Sequence, residues 1–196
     1  MIFLKNLRAA ALPAARREAA MKKILTLLLA GILLVLSACG DKDSSNDSEG
    51  YTEGFLGDTL STYWFDFTVE DAYACQDFGG YTAAAGKQLV VASLSLKNTQ
   101  RYSLDMWYGD FPLFWGDGDD EIVYPLSAAT EQQLPDEYSL AIKEARTGLL
   151  VYEVPADIQD FTMAFVEYFE DGTDDGEEGD AYFVYFTAKT HERAGI

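Results

Sequence analysis

Leu36-Ser37-Ala38-Cys39 is the stretch whose residue types and spacing most clearly specify chemistry. Small residues precede a cysteine at the exit of a short apolar run, and Gly40 and a polar segment follow. That pattern marks a signal peptide whose cleavage leaves Cys39 as the first mature residue, its thiol ready to carry a lipid. Two carboxylate clusters offer different chemistry. Asp117, Asp119, Asp120 and Glu121 form one; Asp171, Asp174, Asp175, Glu177, Glu178 and Asp180 form the other. Ca²⁺ takes six to eight oxygens, often from carboxylates on one flexible loop. Asp171, Thr173, Asp175 and Gly176 fall at offsets 1, 3, 5 and 6 of an EF-hand loop, but Tyr182 stands where the closing Glu belongs. An EF-hand is therefore excluded. Bound Ca²⁺ stays open as a cofactor alternative to solvated acidic turns, with Asp117, Asp119, Asp120, Asp171, Asp175 and Glu177 as its ligands. The third candidate is aromatic. Tyr102, Trp107, Tyr108, Phe111, Phe114 and Trp115 lie close together, and exposed Trp and Tyr are common binding anchors. In an extended chain the neighbours Trp107 and Tyr108 point to opposite faces, as do Phe114 and Trp115. Trp107, Tyr108 and Trp115 are the expected binding surface.

Catalytic constellations are harder to build. The single histidine, His191, lies in a polar C-terminal tail, so no Ser-His-Asp or Cys-His set can be assembled around the fold. Carboxylate pairs suited to glycoside hydrolysis arise by chance among 33 acids. A non-enzyme is expected. Cys75 has no second cysteine once Cys39 is lipidated, so it reads as a buried, inert thiol.

The segment before Cys39 fits export. Met21-Lys22-Lys23 is a basic start, and Ile24 to Leu36 is nearly all apolar but shorter than the roughly 20 residues a membrane span needs. Met21 alone would begin a complete signal peptide, which points to translation from there rather than from Met1. Residues 1–38 are thus the signal peptide, and 39–50 the lipidated Cys with a polar linker that can bury nothing. Residues 51–196 form one domain of ordinary size. After residue 38 the chain keeps 8 basic and 32 acidic residues. So acidic a surface excludes nucleic acid, whose phosphates need Lys and Arg, and leaves membrane attachment to the lipid on Cys39.

Within the domain the periodicity is two, the mark of half-buried strands. Tyr63, Phe65, Phe67 and Val69 alternate with polar or amphipathic neighbours; so do Val90, Ala92, Leu94 and Leu96. Asn98-Thr99-Gln100 should turn the chain, and Asp117-Gly118-Asp119-Asp120 is a second turn signal. Residues 104–115 read as mostly extended, with Pro112 at an edge or bulge. Short strands follow at 122–124 and 147–154, the latter stopped by Pro155. Residues 127–134 are expected to form one or two helical turns. Phe161, Met163, Phe165 and Phe169 alternate along the next strand, out of step only at Glu167. An acidic loop at 171–180 and a last strand at 181–188 complete an all-β, antiparallel sandwich.

Four stretches, in order, resemble a known family. They are Gly57-Asp58-Thr59 with Phe65-Asp66-Phe67-Thr68-Val69, Ala85-Gly86-Lys87-Gln88-Leu89-Val90-Val91, Leu94 to Thr99, and Thr147-Gly148 through Pro155. Over most of 55–188 this order is similar to the DUF4352 family of bacterial extracellular lipoproteins. That resemblance implies an immunoglobulin-like (telokin-like) β-sandwich and an extracytoplasmic address, and it brings no catalytic residues. The aromatic 100–118 region and the long acidic 171–180 loop depart from the family pattern. The expectation is a non-enzymatic lipoprotein on the outer face of the cell membrane, anchored through Cys39. Its partner would be an extracellular protein or envelope component. A glycan-binding module using exposed aromatics, or a Ca²⁺-stabilised structural domain, is the alternative.

Overall fold

The computed structural model describes residues 50–116, 121–169 and 177–190. The first half carries β1 (Tyr51–Phe55), β2 (Thr59–Ser61), β3 (Phe65–Cys75), β4 (Asp77–Phe78), β5 (Tyr81–Thr82) and β6 (Lys87–Asn98). Then come β7 (Leu104–Trp107), a 3₁₀ turn at Tyr108–Asp110, β8 (Leu113–Phe114) and β9 (Ile122–Val123). The last strands are β10 (Glu137–Leu140), β11 (Ala145–Pro155), β12 (Asp160–Phe169), β13 (Glu177–Thr187) and β14 (Lys189–Thr190). One sheet has the order β1-β13-β12-β8-β9, and the other β11-β6-β3-β14 with β2 alongside β3. A β7–β10 ribbon and a β4–β5 hairpin flank them. The fold is an immunoglobulin-like, antiparallel β-sandwich. Among the named strands the two parallel pairings, β1 with β13 and β14 with β3, involve short strands near the ends of the described chain.

Alternation explains the core. Phe65, Phe67 and Val69 of β3 point inward with Val90, Ala92, Leu94 and Leu96 of β6, as their spacing predicts. They meet Phe165, Tyr182, Val184 and Phe186 of the facing sheet. Phe65 and Phe165 pack edge to face at 4.8 Å, and Phe111 stacks on Phe165 at 5.7 Å. Each such side chain contributes roughly 1.5–3 kcal/mol by leaving water. Tyr152, wholly buried, keeps its hydroxyl satisfied by donating to the Phe111 carbonyl at 2.8 Å.

Several expectations change. Residues 127–134 hold no helix; they run irregularly beside β11 with a turn at Glu131-Gln132. Asn98 ends β6 rather than opening a turn, and its buried amide donates to the carbonyls of Tyr102, Leu140 and Ala141. β13 starts at Glu177, inside the segment read as an acidic loop. Cys75 is only half-buried. It packs with Leu89, Val91 and Val151 in a second apolar cluster on the outer face of its sheet. That cluster is covered in part by the β4–β5 hairpin, whose Gly79-Gly80 turn has φ of 57° and 93° at its two central residues, a conformation glycine adopts without strain.

Candidate functional site

The aromatic run of 102–115 is divided among β7, the 3₁₀ turn and β8 with their flanks. Trp107 ends β7, meets Tyr108 edge to face at 5.6 Å, and lies so close over Gly109 that a Cβ there would collide with its ring. Tyr108 packs against the main core. Trp115 directly follows β8. The expected opposition of faces does hold at β8: Phe114 joins an outer cluster with Ala164, Ala181 and Phe183, while Trp115 packs toward the main core.

Trp115 belongs instead to an open groove of about 460 Å³ that crosses four strands. Phe55 on β1, Tyr185 on β13, Thr162 on β12, and Phe114 and Trp115 on and after β8 form its walls. Phe161 and Phe186, core residues 6.0 Å apart, back its floor. Each wall is held by local geometry. The turn after β1 fixes Phe55: its N–H donates to Asp58 Oδ2 at 2.8 Å, its carbonyl accepts the Asp58 N–H at 2.9 Å, and Gly57 supplies φ of 90°. Tyr185 sits 6.1 Å from Phe55 and donates its hydroxyl to Glu53 Oε1 at 2.6 Å. Burial, and then this carboxylate, raise the Tyr185 hydroxyl's pKa above its ordinary range. Thr187 donates to Asp160 Oδ1 at 2.6 Å. Trp115 N–H donates to the Glu121 carbonyl at 3.0 Å, and the Glu121 carboxylate lies against Gly116, where a Cβ would collide with it. The groove is therefore aromatic in its walls and acidic around its rim. Among the described lining residues none is Lys or Arg.

Other predicted residues are placed less fully. Cys39, Asp117, Asp119, Asp120, Asp171, Asp175 and His191 lie outside the described residues, and Glu177 is described only by its backbone in β13. Among the described residues no group of three or more His, Cys, Asp or Glu is arranged to hold a metal ion. The groove residues missed in sequence, Phe55 and Tyr185, did leave a signal. On β13, Ala181, Phe183 and Tyr185 alternate with Tyr182, Val184 and Phe186, so both faces are apolar or aromatic. Such a strand needs cover on its outer side as well.

An immunoglobulin-like sandwich with an aromatic groove across one sheet is the class these features define. No protein-family model matches the chain, and no curated protein does. Two solved structures from Bacillus subtilis share its fold. The yjhA protein is 20% identical, with a TM-score of 0.52, over 67% of this chain and 97% of its own. The ycdA protein, described as a candidate lipoprotein, is 14% identical, with a TM-score of 0.51, over 66% of this chain. The match spans only 38% of the ycdA protein. At these identities the likeness is one of fold.

Proposed function

We propose that this chain is an extracytoplasmic lipoprotein of the DUF4352 type whose sandwich is a non-enzymatic binding module. A lipid on Cys39 holds it to the membrane, residues 40–50 serve as tether, and the groove at Phe55, Phe114, Trp115 and Tyr185 takes the ligand. One observation carries the reading. The described chain begins at Gly50, whose carbonyl accepts the Ala181 N–H at 2.8 Å, and the groove lies at the other end of β1. The five residue steps from Gly50 to Phe55 span roughly 17 Å, so a tether entering there leaves the groove free. The partner is a protein or another envelope component; the candidate lipoprotein among the fold relatives accords with this address. The test is metabolic labelling with palmitate and fractionation of cells expressing the full chain. The protein is expected to carry label and sediment with membranes, and Cys39→Ala to lose both. A Cys39→Ala protein that stays membrane-bound would overturn the anchor.

A further inference from the structure

We infer that one end of the sandwich rests on the headgroup layer of the membrane, a reading that depends on the lipid at Cys39 proposed above. It is the end where β3 and β11 begin and β6 stops, Phe65 pairing with Asn98 and Ala145 with Lys97. Three loops meet there, and side chains tie them into one piece. Buried Asn98 donates to the carbonyls of Tyr102, Leu140 and Ala141, while Thr99 donates to the Trp64 carbonyl and Gln100 to that of Tyr63. These loops carry apolar side chains that bury little within the fold. Five large hydrophobic side chains are exposed among the described residues, and three of them lie here: Tyr63 at 60%, Tyr102 at 50% and Ile142 at 53%. Tyr63 meets Trp64 edge to face at 5.1 Å and Phe169 at 5.5 Å, so the patch continues inward as rings. Ile142 and Lys143 are the central residues of a tight turn, closed by the Glu144 N–H on the Ala141 carbonyl at 3.0 Å. Turn tips ordinarily carry Gly, Pro, Asn, Asp or Ser; this one presents an isoleucine.

Two observations select the bilayer as what covers this patch. The first is its composition. Tyr and Trp settle at headgroup level, where an apolar ring body and a polar tip are both satisfied, and neighbouring Lys and Arg extend toward the phosphates. Exposed Lys97, Arg101 and Lys143 flank the patch, three of the 8 bases that the chain keeps against 32 acids after residue 38. Such a chain is repelled by anionic lipid, and β13 brings Glu177 and Glu178 to the same end on the facing sheet. The contact is therefore with neutral headgroups, on the side of β3, β6 and β11. The second observation is the tether. β1 runs parallel to β13, which starts beside Phe169, so the chain before Gly50 enters from this same end. From Cys39 to Gly50 there are eleven residue steps, at most roughly 40 Å of chain, and β6 alone is about that long. Turning the opposite end to the bilayer would make those steps double back along the sandwich; turning this end needs no reversal.

The experiment uses the full lipidated chain in phosphatidylcholine vesicles, some of whose lipids carry a nitroxide on the headgroup. In a Cys75→Ala background a fluorescent label is attached at Ser103→Cys, beside Tyr102, or at Ala156→Cys, on the turn after β11 at the opposite end; both positions are exposed. Cys39 is blocked by its lipid and takes no label. The nitroxide lipids are expected to quench the label at position 103 at least threefold more than the label at position 156. Tyr63→Ser with Ile142→Ser should bring the two labels to equal quenching with no change in melting temperature, and Ile142→Ser alone should lower the ratio part of the way. Equal quenching at both positions without these substitutions overturns the inference and leaves the anchor standing. A ratio that survives the double variant shows that the tether alone orients the domain, and overturns the contact. No quenching at either position overturns it as well, and shielding of Tyr63 and Tyr102 from radical oxidation in native membranes would then assign this end to a protein partner. A chain that carries no lipid by mass and does not stay with the vesicles overturns the anchor and the inference together.

Discussion

Two carboxyl groups show how differently single residues are placed in this sandwich. Asp110 closes the 3₁₀ turn after β7 with one hydrogen bond, from the Trp107 N–H at 3.2 Å. Desolvation outweighs that bond and raises its pKa from 3.8 to about 7. Its neighbours do not relieve it: Arg146 lies over the Tyr138 ring at 4.8 Å, and its salt bridge runs to Glu144. A carboxyl whose folded pKa lies above its unfolded one binds more protons when folded. Its stabilising contribution is thus complete below about pH 4 and is lost as the pH rises to about 7. Asp110→Asn should leave the melting temperature unchanged at pH 4 and raise it at pH 8, by about 1–2 kcal/mol of stability for a partly exposed residue. An equal effect at both values would rule out ionisation as the cause. Glu167 is the contrasting case. It is buried at 4% exposure, at a bulge in β12, and accepts from the Tyr63 N–H at 2.6 Å and the Tyr182 hydroxyl at 2.9 Å. Glu167→Ala strands both donors and should lower stability by about 2–4 kcal/mol in urea titration, while Glu167→Gln, which keeps an acceptor, should lose less. That Glu167 breaks the alternation of its strand was legible in the sequence. Its partner Tyr63 was not, because the two stand 104 residues apart and only the packing of the sheets brings them together.

At the scale of elements, β11 poses the main problem of this fold. It is eleven residues long and ends its sheet, so it would offer a long open edge to other chains. The irregular segment 126–134 covers it. Leu126 N–H donates to the Val151 carbonyl at 2.7 Å, Leu149 N–H to Gln132 at 2.9 Å, and Leu134 N–H to Leu149 at 3.0 Å. Gly148 allows the close approach; a Cβ there would sit 2.7 Å from the Leu134 side chain and 3.1 Å from its backbone nitrogen. Gly148→Ala should therefore destabilise by about 1–3 kcal/mol and promote self-association, seen as a concentration-dependent rise in mass by sedimentation. A monomer of unchanged stability would show the cover to be dispensable. The long strands were legible because period-two alternation persists over many residues, as in β3, β6 and β12. The cover was not. Ala128, Ala129, Glu131, Gln132 and Gln133 favour helix locally, and the need to pair with a distant strand overrides that preference. The two-residue strands β4, β5 and β14 are too short for any periodicity to reveal.

The whole molecule is governed by charge as much as by its core. After residue 38, thirty-two acidic residues against 8 basic ones leave a chain that repels itself when compact. Two ion pairs among the described residues, Lys87–Glu153 at 3.0 Å and Arg146–Glu144 at 2.7 Å, relieve little of this, since surface pairs each contribute about 0–1 kcal/mol. Screening should do more. Raising NaCl from 10 mM to 0.5 M shortens the Debye length from about 30 Å to a few ångströms, so the melting temperature should rise by several degrees. The same logic discriminates between the two readings of the acidic loops. If Asp117, Asp119, Asp120, Asp171 and Asp175 are solvated turns, Ca²⁺ and Mg²⁺ at equal concentration act as screening ions and raise the melting temperature equally. If one loop is a Ca²⁺ site, Ca²⁺ stabilises beyond Mg²⁺ by an amount that grows with the logarithm of its concentration above the dissociation constant. Equal effects are the expected result, because acidic turns ordinarily stay solvated, keeping the chain soluble and blunting strand edges. A Ca²⁺-specific rise, abolished by Asp→Asn changes in one loop and untouched by those in the other, would reverse that conclusion and make the domain's stability a function of the calcium around it.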